Sequence, residues 1–380
     1  MVQEDTGLGL DDRDLMDGTP PTNPFSVHIL RVVAALVIPI ATLLGMWVAM
    51  NWVQNLENRF VTVIVAIVVG VGGVWLLYWA MDSAVDQLPL RFRESVRPYV
   101  FVGPALVLLI LYLVYPAFYT FVLSFQDAKG SGFVGLENYA FVFTDERMLR
   151  SIRNSIGWII VVPLVSVVVG LGFALLADRL KRMESAAKAL IFLPMAISFV
   201  GASIVWKFIY SFRPEGFGEQ IGLLNGIMVA LGQDPVGWLQ QQPWNNLLLM
   251  VIMIWMQTGF GMVILSAAIK GVPEDIMEAA RIDGATEPQV FWRVIIPSIA
   301  STIVVVLTTM TINVLKIFDI VWLSNPETNG TEVIAERMMR WFFRNEHDGR
   351  GAAIAVFLFV AILPVMILNI RRFRREEAIR

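Results

Sequence analysis

The 380-residue sequence is 57% apolar and only 16% charged, with a net charge of −3 and a mean hydropathy of +0.66. Soluble domains carry about 25% charged residues, so the deficit points to lipid as the solvent, and the negative net charge argues against a nucleic-acid partner. The absence of cysteine excludes disulfides and thiolate chemistry, and two distant histidines, His28 and His347, read as solvated loop residues rather than a metal centre.

In chain order, residues 1–26 carry Glu4, Asp5, Asp11, Asp12, Asp14 and Asp17 against the single base Arg13. A secretory signal needs a basic start before an apolar run, so this segment is expected to be a disordered cytoplasmic tail. Eight mainly apolar runs then reach the roughly 20 residues that a helical span requires: 29–50, 60–81, 98–123, 155–177, 188–211, 244–268, 299–322 and 353–370. Gly70, Gly72 and Gly73 suit close packing of the second span. Pro104, Pro116, Pro163, Pro194 and Pro364 fall inside spans, where neighbouring helices can satisfy the freed carbonyls.

Orientation follows from the basic residues of the loops. Arg91, Arg93 and Arg97, then Arg179, Lys181, Arg182 and Lys188, then Lys270, Arg281 and Arg293, and finally Arg371, Arg372, Arg374, Arg375 and Arg380 make one set denser in bases than the other. That set is predicted to be cytoplasmic, with both termini inside. The opposite loops 124–154 and 212–243 are too long for plain connectors. They are expected either to receive an outside partner or to form short interfacial helices.

Between the sixth and seventh spans lies a polar island. Val272-Pro273-Glu274-Asp275 reads as a helix start, with acids at the positive end of the dipole. Ile276, Ala279 and Ala280 share a face, Gly284 allows a sharp turn, and a second short helix is predicted from about Glu287 to Ile295. An amphipathic loop of this kind either lies at the lipid interface or is presented to a soluble partner.

The spacing E-A-A-x3-G-x9-[IV]-x-[LI]-P, from Glu278 to Pro297, resembles the coupling loop of ABC-importer permeases. The wording Ala279-Ala280-Arg281-Ile282-Asp283-Gly284-Ala285-Thr286 is similar to the carbohydrate branch. So are Phe133-Val134-Gly135-Leu136-Glu137-Asn138-Tyr139, Phe192-Leu193-Pro194 with Ser198 and Trp206, and Phe318-Asp319-Ile320-Val321. Gly237-Trp238-Leu239, Pro243-Trp244-Asn245-Asn246, Trp255-Met256-Gln257-Thr258-Gly259-Phe260 and Leu315-Lys316-Ile317-Phe318-Asp319 resemble the α-glucoside or glucosylglycerol subgroup.

This resemblance implies an all-α, polytopic membrane protein of about eight transmembrane helices. A six-helix type I importer core would cover 98–375, with the coupling loop at 272–297, two additional helices within 27–97 and a short tail at 376–380. It implies a bacterial or archaeal plasma-membrane location and partners: a second, related permease, two cytoplasmic ATPase subunits, an extracytoplasmic solute-binding protein and lipid. Glu278, Ala279, Ala280, Asp283, Gly284 and Pro297 would meet the ATPase. The sequence has no G-x4-G-K-[ST] stretch, so no nucleotide, other cofactor or catalytic role is expected of the chain itself.

Polar groups at membrane depth are costly, which makes them candidates for the solute pathway. Thr309, Asn313 and Lys316 fall on one helical face, and Asp319 is near enough to pair with Lys316. Such a pair is either structural or a sugar contact. Trp255 could stack on a sugar or simply pack, and Gln257 could bond a hydroxyl. Trp206, Lys207 and Tyr210 read as interface anchors. An ion-coupled secondary transporter, a permease for another polar solute such as a glycerol phosphate, and a membrane enzyme are the competing classes. The first would leave the coupling loop unexplained. A phosphate site would prefer an arginine that no late span carries centrally, and no catalytic cluster lies at a common depth.

Overall fold

A computed structural model describes residues 24–56, 58–86, 90–180, 182–324 and 326–377. Most of the predicted acidic tail, and residues 378–380, lie outside these. The described residues form helices and no strand beyond one isolated bridge, Gln126 to Phe133. The chain divides into two compact units at Pro116/Ala117.

The first unit holds α1 (Pro24–Gln54), α2 (Arg59–Asp86) and α3 (Leu90–Leu109). Most of its described apolar side chains face outward, as lipid demands: Phe60, Trp75 and Tyr99 are at least 70% exposed. Of the three glycines of α2, only Gly73 packs, against the Met46 side chain; Gly70 and Gly72 face open space. Tyr78 stacks on Phe101 at 6.1 Å and Arg97 pairs with Asp82 at 2.9 Å, so α3 goes with the first two helices. His28 falls within α1 rather than in a loop.

A wide π-helical turn, Ile110–Val114, leads into α4 (Tyr115–Leu123), and another, Phe291–Ile295, leads into α13 (Ile296–Ser298). Each ends two residues before a proline, Pro116 or Pro297. A proline ring collides with the carbonyl four residues back, and the wider turn moves that carbonyl aside.

In the second unit, α5 (Glu137–Thr144) and α6 (Glu146–Asp178) are followed by α7 (Glu184–Phe192) and α8 (Phe199–Ile209). Then come α9 (Leu223–Ala230), α10 (Trp244–Lys270), α11 (Glu274–Ile282) and α12 (Glu287–Val290). After α13 the chain continues through α14 (Ala300–Leu315), α15 (Asp319–Trp322), α16 (Pro326–Asn329), α17 (Ile334–Phe343) and α18 (Asp348–Glu377). Helices α6 and α10 form the centre. Trp158, Val162, Ile252 and Met253 are buried between them, and the Trp158 indole donates to Asn246 Oδ1 at 2.7 Å. Their closest approach needs Gly170, where a Cβ would stand 2.9 Å from the Met262 nitrogen.

Among the described residues six helices are long and apolar enough to cross a membrane, and eight segments qualify when two bent pairs each count once. The predicted fifth span is thus broken: α7 and α8 meet at 99°. Pro194 lies in the single tight turn Leu193–Ala196, and Ser198 Oγ caps α8 by accepting from Gly201 N at 3.1 Å. The predicted seventh span is not one helix either. It bends by 66° at its entrance and stops at Leu315, before α15 starts at Asp319.

The long loops after the third, fifth and seventh predicted spans contain α5, α9, α16 and α17. Asn138 is buried and donates to the carbonyls of Ser124 (3.0 Å) and Gln126 (2.7 Å), so this part of its motif serves the fold, while Phe133 and Leu136 remain exposed. His347 is half-buried, edge-on to Trp341, and its Nδ1 accepts from Arg350 N; burial pushes its pKa down.

Candidate functional site

The polar island is built as two short helices joined by a closed turn. Helix α11 starts at Pro273, with Glu274 and Asp275 in its first turn and Arg281 in its last, each charge complementing the helix dipole. Its exit is a complete Schellman turn: Gly284 N donates to Arg281 O and Ala285 N to Ala280 O, both at 3.0 Å. Gly284 has φ +84°, where a side chain is strained, yet nothing lies within 4 Å of its Cβ position. The need for glycine is therefore conformational and not a matter of space. Thr286 N donates to Gln289 Oε1 at 2.8 Å, starting α12. Across the turn, Arg281 Nε donates to Glu287 Oε1 at 2.7 Å, and this guanidinium holds the Glu287 carboxyl below the usual range.

The root of the loop is buried. Val272, Leu265, Ile299, Val306, Met310 and Val167 form a cluster against which Met277, Ile295 and Ile296 pack. The tip is the opposite: α11 has no buried residue, Ile276 is 50% exposed and Ile282 80%. Glu278, Ala279, Asp283, Gly284 and Pro297 are exposed, and Ala280 is half-buried. Apolar side chains are thus held outward on a charged knob whose root is packed.

Of the five residues expected in a solute pathway, Trp255 alone lines the described cavity beside α7 and α8. Trp255 lines a cavity of about 420 Å³ with Phe173, Pro194, Trp206 and Thr258, and its ring meets Trp206 edge-on at 5.8 Å. Gln257 lies one residue further along α10, is 4% exposed and does not line it. Asn313 is half-buried on α14, while Lys316 is exposed at its end. Lys316 forms no ion pair with Asp319, because the helix stops between them and the three-residue spacing no longer stacks the side chains. Tyr210 is not an interface anchor: it is 4% exposed in the α6–α10 core, and its hydroxyl donates to Leu248 O at 3.1 Å.

One charged cluster escaped the sequence reading. At the loop-proximal end of the bundle, Asp178, Glu184, Lys188, Ser266 and Lys270 converge from α6, α7 and α10. Only the four-residue spacing of Glu184 and Lys188 signalled any part of it.

Known proteins place this geometry. The family described as "Binding-protein-dependent transport system inner membrane component" matches residues 166–370. The osmoprotective compounds uptake permease protein GgtC of Synechocystis sp. is 55% identical over 280 residues, which are 74% of this chain and 100% of that protein. The alpha-glucoside transport system permease protein AglF of Rhizobium meliloti is 47% identical over 337 residues, 85% of this chain and 99% of its own. The fold also matches a crystal structure of a bacterial ABC transporter involved in the import of the polysaccharide alginate. That match has a TM-score of 0.64 at 22% identity, covering 75% of this chain and 99% of the other. The chain belongs to the family of binding-protein-dependent transport system inner membrane components, the membrane-spanning permeases of ABC importers.

Proposed function

We propose that this chain is one of two related permease subunits of an ATP-driven importer for small glucosidic sugars, α-glucosides in the first instance. The likeness to AglF over nearly the whole of that protein supports the solute class. The observation that carries the mechanism is the contrast within the island, whose root is buried while α11 has no buried residue and turns Ile276 and Ile282 outward. Through Glu278, Ala279, Ala280, Asp283 and Gly284 this helix docks on a cytoplasmic ATPase, and Pro297 turns the chain back into α14. Nucleotide-driven motion of two ATPase subunits then moves the root, and with it α6, α10 and α14, between inward- and outward-open arrangements. An extracytoplasmic solute-binding protein delivers the sugar. The chain itself hydrolyses nothing, and both of its termini face the cytoplasm, as the basic loops favour.

The test is reconstitution with the ATPase, the second permease and an α-glucoside-binding protein. Sugar-stimulated hydrolysis is lost on Glu278→Lys and on Gly284→Trp while the chain still assembles with its permease partner. Unchanged stimulation in both variants removes the docking role. For the pathway, Asn313→Leu abolishes uptake without loss of assembly; normal uptake takes Asn313 out of it.

A further inference from the structure

The Asp178–Lys270 cluster has a mechanical consequence. Lys188 Nζ donates to Asp178 Oδ1 and Glu184 Oε1, both at 2.6 Å, and to Ser266 Oγ, which uses every donor its ammonium has. Ser266 Oγ in turn reaches Asp178 Oδ1 at 2.7 Å. Lys270 Nζ contacts Glu184 Oε1 and lies 3.7 Å from Asp178 Oδ1. Two acids and two bases balance. The Lys188 and Asp178 side chains are only 18% and 16% exposed, and Asp178 Oδ2 is buried without a hydrogen bond. A second contact fixes the other end of α7. A Cβ on Gly259 of α10 would stand 2.6 Å from Ile191 O and 2.7 Å from Phe192 Cα, so the end of α7 rests on the α10 backbone.

Helix α7 is thus held to α10 at both ends, by charge near Lys270 and by backbone contact at Gly259. Lys270 ends α10, and α11 begins at Glu274. Beyond α7 comes the 99° bend into α8, which borders the cavity lined by Leu190, Ile191, Pro194, Trp206, Trp255 and Thr258.

We propose that Lys188 and Glu184 are positioning residues of the coupling step. They bind α7 to the loop-proximal end of α10, so that displacement of α11 reaches the α7–α8 bend as one rigid movement. This rests on the reading of α11 as the ATPase contact. Without the cluster, α10 still moves but α7 lags, and ATP is spent without transport.

The absence of native cysteine makes a clean test possible. In the assembled transporter, Glu184→Gln and Lys188→Met keep ATP hydrolysis, while solute moved per ATP falls about tenfold, a typical size for a coupling defect. The Glu184→Cys/Lys270→Cys pair shows the same deficit, and bridging it with a short bis-methanethiosulfonate reagent restores transport. Normal transport per ATP in these variants overturns the proposal. So does a bridged pair no better than the unbridged one, or loss of hydrolysis and transport together in correctly assembled complexes. The underlying docking reading fails differently, by undiminished stimulation in Glu278→Lys; failure of the present proposal alone leaves that defect in place.

Discussion

Helices α11 and α17 are both short, charge-rich islands between apolar helices, and the protein uses them in opposite ways. In α17, Ile334, Ala335, Glu336, Arg337 and Arg340 are all buried. Arg340 Nε donates to Glu336 Oε1 at 2.7 Å, and Arg337 and Arg340 each reach Glu327 at 3.2 Å. Arg147 joins the same carboxylate at 3.1 Å, and the Arg340 guanidinium lies 5.1 Å from the Trp322 ring centre. The charges of α17 are spent inside the chain. Those of α11 are not: among the described residues its one ion pair, Arg281 to Glu287, is exposed and ties the island to itself. A charged helix between spans is thus no sign of a partner. What sets α11 apart is that none of its residues is buried although its root is packed.

The largest test of this contrast is Arg340→Met in α17. It removes the ion-pair and hydrogen-bond partner of the fully buried Glu336 carboxylate and costs about 3–5 kcal/mol of stability, readable as a fall in the thermal unfolding temperature of the detergent-solubilised chain. Stability close to wild type would mean that α17 is no more integrated than α11. Next, Ile276→Asp with Ile282→Asp in α11 weakens ATPase binding by about 2 kcal/mol while unfolding is unchanged, measured by co-purification beside a melting curve. A stability loss without a binding loss would reverse the comparison.

Gly284→Ala isolates backbone strain, because the space around it is open. It costs about 1–2 kcal/mol in local stability, seen as faster hydrogen exchange in α11. The pH response belongs to α17 and its approach. Burial pushes the Glu332 and Glu336 carboxyls above the usual range, so the folded chain holds their protons more tightly than the unfolded one. Their contribution is fully present below the ordinary carboxylate value and is lost as pH rises through the shifted values. Glu332→Gln with Glu336→Gln flattens that part of the stability profile, and an unaltered profile would show other groups titrating there. The smallest effect is expected at Arg281→Met, a melting curve close to that of the unaltered chain, as suits an exposed pair.

Much of the site was legible from spacing. The run from Glu278 to Gly284 marked the island because helix start, small face and turn glycine each have a local physical cause. The pathway residues were less legible. Lys316 and Asp319 looked paired only while α14 was assumed to continue, and Tyr210 looked interfacial only while its core neighbours on α10 were unknown.

The sequence alone determined the solvent, the eight apolar segments and the position of the island, since each depends on composition or on residues a few places apart. Only the tertiary structure decided where spans break, which charges are buried, and that Asp178, Glu184 and Lys270 meet. Those outcomes depend on contacts between residues far apart in the chain, such as Glu184 and Lys270, 86 positions apart, which no local pattern encodes.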